Sequence, residues 1–116
     1  PYKSEILPYW KFATPEAAEK SAEKIYSIFL EYAEQDDFVG MDMARKFLQM
    51  GFTRSRRYAN HPDGKKYAKD RTTLAQDKNW KNSSKAKSAE IFYKKYTEAK
   101  NLQKYLDLKD KHTHKN

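Results

Sequence analysis

The chain has 116 residues, 38% hydrophobic and 34% charged, with a net charge of +8 and a pI near 9.5. That length fits one domain whose core closes without staples, and the lack of cysteine excludes disulfides and thiolate metal sites. No apolar run approaches the roughly 18 residues of a membrane-spanning helix, and no secretory signal is visible, so a cytoplasmic setting is expected.

Low hydrophobicity with high charge is the composition of a disordered chain, but disordered chains are poor in aromatics. Here 9 Tyr, 6 Phe and 2 Trp make up 15% of the residues, which predicts an aromatic core with wet, basic edges. The charge is uneven. Residues 1–50 carry −3, residues 51–87 carry +8 and residues 88–116 carry +3, so the middle third holds the equivalent of the whole excess.

Residues 1–13 mix apolar and aromatic side chains around Pro8, which lacks an N–H and biases Leu7 toward extended backbone. They are expected to form an extended arm docked through Ile6, Leu7, Tyr9, Trp10 and Phe12. Thr14-Pro15-Glu16 reads as a helix start: a capping hydroxyl, proline at the first position and an acid in the first turn. The helix should reach about Glu34, with Ala18, Ala22, Ile25, Phe29 and Tyr32 as its apolar stripe, widened by Ile28 and Tyr26.

Gln35-Asp36-Asp37 interrupts that pattern and offers a new cap. A second helix is predicted from Phe38 to Met50, burying Met41, Ala44, Phe47 and Leu48, with Gly51 as its C′ residue. Gly40 weakens its first turn and suits a close helix approach. Thr53 is expected to cap a short third helix to about Ala59.

His61-Pro62-Asp63-Gly64 is a turn signal, and residues 62–82 read as one long basic loop, a length usually tied to function or mobility. Ser83 or Ser84 should open a helix to about Lys100 with Ala86, Ala89, Phe92 or Tyr93, Tyr96 and Ala99 facing inward. Asn101 is expected to cap a last short helix burying Leu102, Tyr105 and Leu106, followed by a frayed tail at residues 111–116. The expected fold is therefore mainly α: residues 1–116 form a small orthogonal bundle of four to five helices with an extended N-terminal arm and one long basic loop.

The stretch Asp37-Phe-Val-Gly-Met-Asp-Met-Ala-Arg-Lys-Phe-Leu-Gln-Met-Gly-Phe-Thr-Arg-Ser-Arg-Arg-Tyr-Ala-Asn-His61 resembles the core of a bacterial and phage family, the domain of unknown function DUF4385. Leu7-Pro-Tyr-Trp-Lys-Phe-Ala-Thr-Pro-Glu16 and Ser21-Ala-Glu-Lys-Ile-Tyr26 are similar to its opening, and Ser88-Ala-Glu-Ile-Phe92 and Tyr105-Leu-Asp-Leu-Lys109 to its closing helices. Residues 68–87 depart from it, being richer in lysine and less regular. The resemblance implies a bacterial or phage cytoplasm and brings no activity, cofactor or catalytic residue with it.

The constellation with most chemical content is Arg54, Arg56, Arg57, Tyr58, Asn60 and His61, continued by Lys65, Lys66, Tyr67, Lys69 and Arg71. Guanidinium forks bind phosphate oxygens, tyrosine faces stack on unpaired bases, and clustered cations release counterions. The competing reading is a solvated basic face with Tyr58 and Tyr67 in the core. A helix-turn-helix across Gly51-Phe52-Thr53 is conceivable, but its second helix would be only about two turns long, so a plain helical corner is favoured.

Glu31, Glu34, Asp36, Asp37 and Asp42 lack a metal-loop pattern and read as caps and surface pairs, Asp42 with Arg45 or Lys46. His112-Thr-His114 lies on the tail, and Trp80 reads as a pin for the long loop. His61 offers an imidazole, the group most often used as a general base, yet a nuclease would need a second catalytic group that sequence does not supply. Neither metal nor cofactor is expected, and an enzyme is the least favoured class. The expected function is a basic accessory protein contacting the backbone of DNA or RNA. The alternative is a protein-interaction module that docks an acidic partner and regulates a larger enzyme.

Overall fold

The computed structural model describes residues 1–61 and 83–113. Among them are five helices and no strand: α1 (Tyr2–Ile6), α2 (Pro15–Glu34), α3 (Phe38–Asn60), α4 (Ser84–Asn101) and α5 (Gln103–Thr113). The expected loop at residues 62–82, Trp80 within it, and the end of the tail lie outside the described residues.

The capping chemistry works as the residue types dictate. Thr14 Oγ1 accepts from Ala17 N at 3.1 Å, with Pro15 next in line. Asp37 Oδ1 accepts from Gly40 N at 3.1 Å, and Ser83 Oγ from Ala86 N at 3.1 Å. Asp36 turns the chain between α2 and α3 at φ 54°, a left-handed conformation that Asp tolerates better than most side chains.

α2, α3 and α4 form the body, each packed against the other two, with α3 and α4 the most extensive pair. The α2 stripe is buried as its spacing requires, Ile28 included, and so are Met41, Ala44, Phe47 and Leu48 of α3. Phe92 of α4 and Tyr105 of α5 complete this core.

Three expectations change. The first concerns Gly51, expected as the C′ residue of a helix ending at Met50. It lies inside α3, which continues to Asn60. The Phe92 ring lies directly on it: a Cβ at this position would sit 2.5 Å from Phe92 Cδ1. Gly51 therefore allows α4 to approach, and no helix-turn-helix exists at this point. Thr53 is correspondingly no cap; its hydroxyl donates to the Met50 carbonyl at 3.2 Å.

The second is the arm, which is not extended throughout. α1 leads into a 3-10 turn at Leu7–Tyr9, where Pro8 stands at a position that needs no N–H. Docking rests on Ile6, fully buried, and on half-buried Trp10 and Phe12, whereas Leu7 and Tyr9 remain exposed. Trp10 Nε1 donates to the Phe47 carbonyl at 3.0 Å. The Tyr2 hydroxyl donates to Asp37 at 2.8 Å, and the Tyr32 hydroxyl to Glu5 at 2.6 Å.

The third is the last helix. Asn101 ends α4, Leu102 is the break, and α5 buries Tyr105 and part of Leu108 while Leu106 is exposed.

Candidate nucleic-acid interface

The last turns of α3 run beside the first turn of α4, and their ladder of small residues explains how. Gly51, Ser55 and Ala59 recur every four residues on the buried side of α3, facing α4 residues Ser88 and Ala89, which are also buried. The large side chain that lies between the helices, Phe92 on Gly51, is apolar, and the charged residues are turned outward to the flanks.

Arg54, Arg56 and Arg57 therefore fan around the end of α3 instead of forming one cluster. Arg54 is exposed, its guanidinium 5.7 Å from the ring centroid of Trp10. Arg57 is exposed on the outermost side, in the last turn of the helix. Arg56 is half-buried toward α4, where it lines a groove with Phe52, Ala86, Lys87, Ala89, Glu90 and Tyr93.

Tyr58 is half-buried, its ring 6.5 Å from that of Phe12. Lys85 covers it, with Nζ 5.9 Å from the Tyr58 centroid and donating to the Ala13 carbonyl at 2.7 Å. Tyr58 is thus partly committed to packing the arm. Asn60 is half-buried and His61 buried, the His61 N–H closing the helix on the Arg57 carbonyl at 2.8 Å. Phe52, Thr53, Arg56, Arg57, Asn60 and His61 share a second shallow depression. The predicted members Lys65, Lys66, Tyr67, Lys69 and Arg71 lie outside the described residues.

The fold adds two cations that the sequence pattern did not single out. Lys85 and Lys87 stand in the first turn of α4, beside the three arginines, and neither residues 51–61 nor residues 83–89 contain Asp or Glu. Helix N-termini carry partial positive charge, so lysines there are electrostatically misplaced by roughly 0.3–1 kcal/mol each. The signal available in sequence was the acid-free opening of the helix, Ser83-Ser-Lys-Ala-Lys-Ser-Ala89.

Three aspartates lie at the opposite end of α3, while Glu16, in the first turn of α2, stands at the end where Lys85 reaches the Ala13 carbonyl. Asp37 caps α3 and holds Tyr2, and Asp36 pairs with Lys104, whose hydrogen bond and charge keep its carboxyl below the usual carboxylate range. Asp42 binds Arg45 at 2.9 Å and accepts from the Tyr105 hydroxyl at 2.7 Å. Burial and this bond push the Tyr105 phenol up to about 12. Among the described residues no group of three His, Asp or Glu is placed to hold a metal ion. No described helix is long and apolar enough to cross a membrane.

Neither a curated protein nor a solved structure matches the chain. A family model does: it aligns to residues 1–115, a span that includes the lysine-rich stretch 68–87, and the chain therefore belongs to the family described as domain of unknown function DUF4385.

Proposed function

We propose that this protein is a nucleic-acid-binding accessory protein that grips the phosphate backbone with the basic end of its bundle. One observation carries the reading. Arg54, Arg56, Arg57, Lys85 and Lys87 surround the ends of two adjacent helices, with no acidic residue in segments 51–61 or 83–89, although an acid in the first turn of α4 would favour the fold. At Lys87, exposed in that first turn, charge held against the interest of stability marks a surface that an anion completes. Lys65, Lys66, Lys69 and Arg71, in the chain that links α3 to α4, add to the same sign of charge.

The contacts are electrostatic and blind to sequence. Arg54 and Arg57 offer forks for phosphate oxygens, Lys85 and Lys87 act as point charges, and Tyr58, Asn60 and His61 flank them. The resemblance to DUF4385 leads us to place the protein in the cytoplasm of a bacterial or phage-infected cell.

The test is fluorescence anisotropy with labelled single-stranded DNA, duplex DNA and RNA across a salt series. Binding should weaken linearly in log–log form, by about 0.9 per phosphate contacted on duplex DNA. An Arg54/Arg56/Arg57→Ala protein should retain its circular dichroism and lose roughly two to three units of that slope. Binding that is indifferent to salt, or unchanged in the triple variant, refutes the assignment. Recovery of one stoichiometric acidic protein after nuclease treatment would instead make this end a protein-docking face.

A further inference from the structure

The groove between α3 and α4 has a volume of about 380 Å³ and an aromatic wall. Its origin lies in the Gly51–Phe92 contact. Neighbouring residues on a helix point about 100° apart, so once Phe92 is seated on Gly51, the next residue along each helix is swung to the same flank. Phe52 and Tyr93 meet there, ring centroids 4.9 Å apart at 53°. Tyr96 extends the row, 6.3 Å from Tyr93, and Lys100 Nζ lies 5.1 Å from the Tyr96 centroid.

Tyr93 is 45% exposed, the largest aromatic surface left on α4, while its neighbour Phe92 is wholly buried. Arg56 and Lys87 form the basic rim of the same groove. Glu90, three residues after Lys87 on α4, also lines it and adds a hydrogen-bond acceptor.

We propose that this groove takes an unpaired nucleobase against Tyr93 and Phe52, with the adjoining phosphate on Arg56 and Lys87, so that the protein prefers single-stranded nucleic acid to duplex. The proposal rests on the nucleic-acid reading above and adds the form of the ligand. Rings beside cations are what a single strand requires. Every base has a π face to stack, whereas bases in a duplex are stacked on one another and cannot enter a groove of this size. Glu90 supplies an acceptor to the edge of a seated base that carries an exocyclic amine.

The experiment compares three labelled ligands of equal length: a single strand, the same strand with abasic sites throughout, and a duplex. Each is measured with the wild-type protein and with Tyr93→Leu and Tyr93→Phe. The substituted side chain is half exposed, and Leu keeps apolar volume, so both variants should fold. The single strand should bind more tightly than the abasic strand. Tyr93→Leu should weaken single-strand binding by about 5- to 100-fold, leave duplex and abasic binding unchanged, and preserve the salt slope, while Tyr93→Phe should bind like wild type. If abasic and base-bearing strands bind alike, or Tyr93→Leu leaves the single strand unaffected, base stacking is overturned and the phosphate contacts stand. Absence of binding to all three ligands overturns both proposals.

Discussion

Gly51 and Phe92 show how much one missing methyl can carry. Alanine is a better helix former than glycine by about 1 kcal/mol, so in isolation Gly51→Ala would strengthen α3. Inside the bundle its Cβ would lie 2.5 Å from Phe92 Cδ1 and 2.7 Å from two further ring atoms. Phe92 is fully buried and has nowhere to retreat. Overpacking of this kind costs roughly 1–3 kcal/mol. We expect Gly51→Ala to lower the stability measured by urea unfolding despite its helix propensity, and Gly51→Ala/Phe92→Leu to recover part of the loss. Tyr105 supports a second prediction. Its phenol is raised from 10 to about 12, first by burial and then by the bond to Asp42. The fold therefore favours the neutral form. That stabilisation is fully present below pH 10 and drains away as pH climbs through about 12. Tyr105→Phe should flatten the alkaline fall in stability while lowering the plateau near neutrality by about 1 kcal/mol, as followed by pH-dependent denaturation.

Individual helices were legible where local chemistry decides them. Thr14-Pro15-Glu16, Asp37 and Ser83 are starts written within four residues, and the stripes of α2 and α3 follow from spacing alone. The break expected at Gly51 was not legible, because a glycine that ends a helix and one that admits a neighbour look alike until the neighbour is known. The choice between Phe92 and Tyr93 failed to resolve for the same reason: it is made by Gly51, 41 positions earlier in the chain. The arm differs in the opposite direction: the bias that Pro8 puts on Leu7 predicts extended backbone, whereas Pro8 stands near the start of a 3-10 turn. At this scale the misplaced charge of α4 is open to test. Ser84 is exposed at the first helical position. Ser84→Glu puts an acid at the positive end of the helix, three residues before Lys87, which should stabilise the protein by about 0.5–1 kcal/mol in thermal unfolding. The same change should weaken nucleic-acid binding, separating what the fold favours from what the surface is for.

Across the whole molecule, charge is divided along α3 and not between two halves of the bundle, since Glu16 at the start of α2 shares the end where Lys85 meets Ala13. The antiparallel course of α2, α3 and α4 brings the end of α3 to the start of α4, so Arg54–Arg57 and Lys85–Lys87, far apart in sequence, form one basic end. Asp36, Asp37 and Asp42 lie at the other end, engaged with Lys104, Tyr2, Arg45 and Tyr105. The basic segment was therefore visible from composition, whereas its two-helix construction, and the aromatic groove beside it, needed the topology. Arg54, Arg56 and Arg57 form one charged run in sequence, but a helix spreads adjacent residues around its axis. They face three directions, and only Arg56 reaches the groove.

That spread gives the protein a built-in optical gauge. Trp10 is pinned by its indole N–H to the Phe47 carbonyl and lies under the guanidinium of Arg54. A cation near an indole shifts its emission, so drawing Arg54 toward a phosphate changes the colour and intensity of Trp10 without any attached dye. With Trp80→Phe removing the second of the two tryptophans, the remaining signal reports the Arg54 side of the α3 end, while labelled strands report the Tyr93 side, and the order in which a ligand engages the two flanks becomes measurable in a single rapid-mixing trace.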